Sequence, residues 1–143
     1  MNAPRLEIDL DKIEHNARSL VTRLADRGIS VTAVTKATLG SPEIARSLLQ
    51  AGASGLGDSR IENIEAMCHA NGPASMTLIR SPMLSQVERL VTHVEVSFNT
   101  ELDVISKISS FAQKARRTHG VVLMVELGDL REGIMPGDLE NAV

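Results

Sequence analysis

Apolar positions along the chain alternate between short β-branched runs and stripes spaced three and four residues apart, the pattern of an α/β chain built on a parallel sheet. The run "RLEIDL" at residues 5–10 reads as a short strand with alternating inward positions. From Asp11 to Arg27 the period becomes helical, placing Ile13, Ala17, Leu20, Val21 and Leu24 on one face before the stop at Gly28. "ISVTAVT" is a β-branched strand, followed by a helix that Ser41 caps, Pro42 opens and Gly52 ends. Short strands at "SGLG", "MTLIR" and "VEVSF" alternate with helices over 60–70, 85–92 and a long segment striped by Leu102, Ile105, Ile108, Ala112 and Ala115. Lys114, Arg116, Arg117 and His119 close that helix as partners for the negative end of its dipole. "VVLMVEL" shows no alternation, as expected for a strand covered on both faces. A further helical pattern begins at "DLENAV", with Asp138 as its cap.

From residue 29 onward the count is five strand-plus-helix units, the fifth incomplete, whereas a closed (β/α)8 barrel needs eight strands and typically about 250 residues. The reading is therefore a single domain over 1–143 that forms the N-terminal part of a TIM-type barrel, truncated or completed by another chain. No Pro/Gly/Ser-rich linker divides the chain, and no self-similarity recurs at a fixed period.

Composition narrows the chemistry. The chain has 143 residues, 43% hydrophobic content and a formal net charge of -3. It shows no signal-peptide pattern and no apolar run near the ~18 residues of a membrane span, so a soluble cytoplasmic protein is expected. The lone Cys68 excludes an internal disulfide and a thiolate metal site, and falls in register with Ile61 and Ile64 as a buried position. With only two phenylalanines as aromatics and no basic groove, nucleic-acid binding has no support.

In parallel α/β architectures ligands bind at the carboxyl ends of the strands. Those positions are Lys36, Asp58-Ser59-Arg60, Arg80-Ser81, Asn99-Thr100 and Glu126 to Arg131. Of the four lysines, Lys12, Lys107 and Lys114 fall on exposed helix faces, and Lys36 alone ends a strand. There it is either a desolvated amine serving as nucleophile or base, or a rim lysine paired with a carboxylate such as Asp58. Arg131, between Gly128 and Gly133, either grips a carboxylate or phosphate bidentately or pairs with Glu132 or Asp129. "GLGDSR" has Arg60 where a dinucleotide fingerprint needs its third glycine. His15, His69, His93 and His119 lack metal-ligand spacing and read as surface or capping residues, and Glu62 and Glu65 share a water-facing helix face.

Taken together, "LEIDLDKIEHNARSL", "AVTKA", "TKATLGSPEIA", "DSRIENIE", "RSPMLSQVE" and "LMVELGDLREGI" resemble the alanine racemase-like enzymes that use pyridoxal 5'-phosphate (PLP), and within them the ornithine/alanine racemase branch. The resemblance spans essentially the whole chain. It implies that Lys36 carries the cofactor and acts as one of two bases at the substrate Cα, that Arg131 steadies cofactor and substrate oxygens, and that the working protein is a homodimer. The reaction it implies is racemisation of a free ornithine- or alanine-type amino acid.

Three departures stand beside it. Gly40 occupies the position of a phosphate-side tyrosine, Met124 that of a lysine carbamylated in many members, and the chain contains no tyrosine, the residue the family draws from the partner subunit as second base. On these grounds the 143 residues alone are expected to be inactive. A D-threonine aldolase-like or D-serine dehydratase-like PLP lyase, and a non-catalytic PLP-binding homeostasis protein, resemble the same barrel and are the competing functions.

Overall fold

The protein is described here by a computed structural model covering residues 4–72 and 74–141. Helix α1 (Leu10–Ala25) opens where the Asp9 carboxylate accepts the Lys12 backbone N–H at 3.1 Å. Five strands follow, β1 (Thr32–Val34), β2 (Gly55–Asp58), β3 (Met76–Leu78), β4 (Val96–Asn99) and β5 (Gly120–Leu123). They form one sheet in the order β1-β2-β3-β4-β5, every neighbouring pair parallel. Between them run α2 (Pro42–Gln50), α3 (Ile61–Asn71), α4 (Val87–His93) and α5 (Leu102–Ala115). The simple 1-2-3-4-5 order with a helix in each crossover is the growth rule of a (β/α)8 barrel, and this chain builds its first five units.

The core lies between the sheet and helices α2 to α5. Leu56, Met76 and Leu78 point into it from the strands and meet Ala45, Ile61, Ile64, Met67, Leu90 and Ile108. Leu56→Ala is expected to cost about 2–5 kcal/mol, because a fully buried side chain would leave a cavity among rigid neighbours. A lower urea midpoint at unchanged slope would check it.

Several expectations change once neighbours are in place. Residues 4–9 join no sheet, and Leu6 and Ile8 are exposed, so "RLEIDL" has strand-like alternation without a backbone partner. On α1 no residue is buried, and Leu20, expected on its inner face, is exposed. On α5 the buried stripe is Val104, Ile108 and Ala112, while Leu102 and Ala115 face outward, because the helix is rotated by packing against α4 and β4.

Strand β5 is the correction with the most consequence. Val121 and Val122 are each 40% exposed, since β5 pairs with β4 alone and is an edge in this chain. Its apolar run without alternation predicts cover on both faces, and the exposure of two successive residues, which point to opposite faces, shows that among the described residues neither face is fully covered there. The helical pattern at the C-terminus starts at Pro136, not Asp138, and runs to Asn141 as a 3₁₀ turn; Ala142 and Val143 lie outside the described residues.

Candidate active site

The turn after β1 places the first candidate. Thr35 leaves the strand, Lys36–Thr38 form one 3₁₀ turn, and Leu39 and Gly40 adopt left-handed backbone at φ 53° and 66°. Ser41 then caps α2 by accepting the Ile44 N–H, with Pro42 at the first helical position. Lys36 thus begins a turn instead of ending the strand. Its side chain is exposed in this chain, so the desolvation expected from a closed barrel interior is not supplied by these residues.

The opposite face of the sheet from the core is concave. Val34, Ile79, Phe98 and Met124 wall a cavity of about 530 Å³, and Lys36 and Arg131 stand on its lining together. Met124 contributes only an apolar wall. Lys36 and Arg131 are 95 positions apart, and the sheet brings them to one cavity because β1 and β5 both end at its mouth.

Arg131 is held by its backbone, not by its side chain. Glu126, buried at the start of the loop after β5, accepts the backbone N–H groups of Gly128, Leu130 at 3.1 Å and Arg131 at 3.2 Å. The Gly128 and Leu130 amides, and then that of Arg131, hold the Glu126 carboxyl below the usual carboxylate range against the opposing effect of burial. The base of the loop is closed by a Val125–Ile134 bridge, with Glu126 N donating to Ile134 O at 3.0 Å and Ile134 N to Met124 O at 2.8 Å. Gly133, at φ 141°, makes that closure possible, since a Cβ there would lie 2.6 Å from the Val125 carbonyl carbon.

The bland alternatives for both residues are not what the geometry shows. Among the described residues neither Lys36 nor Arg131 has a carboxylate within ion-pair distance, and Glu132 lies instead 3.9 Å from Arg80. Asp58, the proposed partner of Lys36, is fully buried and takes Thr35, Arg60 and Asn63 as donors. Both functional candidates are therefore free to meet a ligand.

Two carboxylates act as supports without having been singled out for that role in the sequence: Asp58, the last residue of β2, and Glu126, three residues past the end of β5, each an acid that follows an apolar run and precedes a turn. His119 is also reassigned. It is half-buried with Nδ1 3.1 Å from the Val94 carbonyl and Nε2 2.8 Å from Ser97 Oγ, and burial pushes its pKa down. Glu62 and Glu65 do not merely face water, because Arg89 forks onto both, and this bond holds the Glu65 carboxyl below its usual range. Cys68 packs at the edge of the core, where burial pushes its thiol up.

A five-stranded parallel sheet in simple order, with a helix in each crossover, defines the class as a barrel-type α/β fold. The chain belongs to the family described as alanine racemase, N-terminal domain, whose profile matches residues 8–143. It is 39% identical over 131 residues to the lysine racemase of Thermotoga maritima, covering 92% of this chain and 37% of that protein. To the ornithine racemase of Acetoanaerobium sticklandii it is 34% identical over 131 residues, covering 91% and 36%. The chain thus spans somewhat over a third of the length of these relatives.

Among solved structures, D-threonine aldolase from Filomicrobium marinum matches with a TM-score of 0.83 at 22% identity over 99% of this chain and 40% of that one. Alanine racemase from E. faecalis matches at 0.79 and 21% identity over 94% and 38%. These likenesses show the TIM-barrel fold. Among the described residues no helix is long and apolar enough to cross a membrane.

Proposed function

We propose that this chain is the cofactor-bearing part of a PLP-dependent racemase acting on a free basic amino acid of the ornithine or lysine type, working as a cytoplasmic homodimer. The observation that carries the reading is the convergence of Lys36 and Arg131 on one apolar-walled cavity, in a chain similar to a lysine and an ornithine racemase. Asp129 and Glu132 stand on the same lining, and beside them a primary amine, a guanidinium and an apolar wall are a donor set that fits an aromatic aldehyde bearing anionic substituents.

When bound, PLP supplies the electron sink that makes an amino-acid Cα proton removable at neutral pH. The protein's part is placement. Lys36 anchors the cofactor and then holds or moves a proton on one face of Cα through Nζ. Arg131 orients ring and carboxylate oxygens, its backbone tethered by Glu126. Val34, Ile79, Phe98 and Met124 supply an apolar wall beside the amine and the guanidinium. Because the chain contains no tyrosine, the opposite face of Cα is served in this reading by a group other than a tyrosine of these residues.

Borohydride reduction of the PLP-treated protein, followed by peptide mapping, is expected to leave the pyridoxyl mass on Lys36; its absence from Lys36 would sink the assignment. Incubating the full-length protein with L-ornithine, L-lysine, L-alanine and D-threonine separates the reactions. The expected product is the opposite enantiomer of a basic amino acid, whereas glycine from D-threonine would identify a lyase and no turnover would favour a PLP carrier.

A further inference from the structure

Asp58 is a fully buried carboxylate with no cation within ion-pair distance among the described residues. Three neutral donors hold it: Thr35 Oγ1 at 2.8 Å, the Arg60 backbone N–H at 3.0 Å and Asn63 Nδ2 at 3.0 Å. The start of α3, three residues on, adds the positive end of a helix dipole. A buried charge paired only with neutral groups is an expensive way to stabilise a core. What it does achieve is geometry, because one carboxylate oxygen takes two donors from the start of α3 while the other takes Thr35 beyond β1, which ties the two strand ends together.

That arrangement sets the Lys36 turn. Thr35 immediately precedes the lysine and is itself buried, and its carbonyl accepts Thr38 N and Thr38 Oγ1 at 2.9 Å and Gly40 N at 3.3 Å. Its backbone N–H donates to the Gly57 carbonyl at 2.9 Å, tying the same residue to β2. Thr35 is therefore a hub, with its hydroxyl 2.8 Å from Asp58 Oδ2 and 3.2 Å from the Gly57 carbonyl, and its own carbonyl closing the turn that carries the amine. Asn63 locks the far side. A Cβ at Gly40 would fall 2.5 Å from Asn63 Cβ, so Asn63 fills the space into which any side chain at position 40 would project.

We propose that Asp58, acting through Thr35 and braced by Asn63, is a positioning residue that aims the Lys36 amine at the cavity. The glycine at position 40 is then the steric condition for this brace. The inference rests on the assignment of Lys36 under Proposed function.

The test compares labelling of Lys36 with that of Lys12, Lys107 and Lys114 in one sample of the protein, using PLP and borohydride, across pH. In the native protein Lys36 is expected to react fastest. Thr35→Val, which keeps the branched shape and removes the hydroxyl, is expected to slow Lys36 roughly tenfold while the other lysines are unchanged. Thr35→Ser, which keeps the hydroxyl, is expected to restore the rate. Native-rate labelling of Lys36 in Thr35→Val, or failure of Thr35→Ser to restore it, would overturn the proposal.

Should Thr35→Val unfold, Asn63→Ala removes one donor from a half-buried position of α3 and carries the same comparison, with unchanged Lys36 labelling again overturning it. Slow PLP labelling of Lys36 in the native protein would instead count against the cofactor assignment. In that event acetylation by acetic anhydride decides the positioning question separately: a shifted Lys36 pH profile in Thr35→Val supports it, and an identical profile refutes it.

Discussion

Replacing Lys36 with alanine is expected to remove covalent PLP capture and to lower racemisation by the full-length protein roughly 10³-fold or more, the combined loss of an anchoring amine and a proton-transferring base. The fold should survive. Lys36 is exposed and contributes nothing to the core, so the melting temperature without cofactor should stay within a few degrees of native. Stereochemistry sharpens the test: exchange of the Cα proton with solvent deuterium should stop on the face that Lys36 serves. Persistent capture of PLP by the alanine variant would place the cofactor lysine elsewhere, and only Lys12, Lys107 and Lys114 remain in the chain.

The second large effect is expected at Gly133. A methyl group there meets the backbone of Val125 and Glu126, which cannot yield as a flexible side chain would. Gly133→Ala should therefore open the base of the 127–133 loop, release Arg131 and lower activity roughly 10²-fold with little change in helix content. Hydrogen exchange at the Gly128, Leu130 and Arg131 amides would rise in the same variant, because those groups bond to Glu126 only while the loop is closed.

Acid should reproduce the loop opening. The Glu126 carboxyl is depressed in the folded protein, so its contribution is present above the ordinary glutamate range and is lost as pH falls through its own lowered value. The protection of the loop amides, their exchange rate relative to the unstructured rate at the same pH, should fall over that acid window and stay level from about pH 6 upward. Glu126→Gln, which cannot be charged, should show fast exchange without that acid step.

Much of the architecture was legible because it is local. The helix start at Ser41 follows from a side chain that accepts the N–H three residues on, and the order of strands and helices follows from hydrophobic period, whereas the cap at Asp9 fell inside the run read as a strand. Lys36 stood out by position, and its partner Arg131 by two flanking glycines. What misled was burial. The unalternating run of β5 describes a strand covered on both faces, which these residues do not provide, and the stripe of α5 was read one face off because a helix's rotation is chosen by what it packs against.

By itself the sequence determined the βα rhythm, the chemical identity of the amine and guanidinium, and the family they belong to. Only the tertiary structure decided that Lys36 and Arg131 share a cavity, that Asp58 serves Thr35 and not the lysine, and that Glu126 holds the arginine's loop by its backbone. Spacing within a helix or turn is set by bonds along the chain. A buried carboxylate's choice of donors depends on which strand ends the sheet brings together, and residues 35 and 58 become neighbours only when β1 and β2 pair.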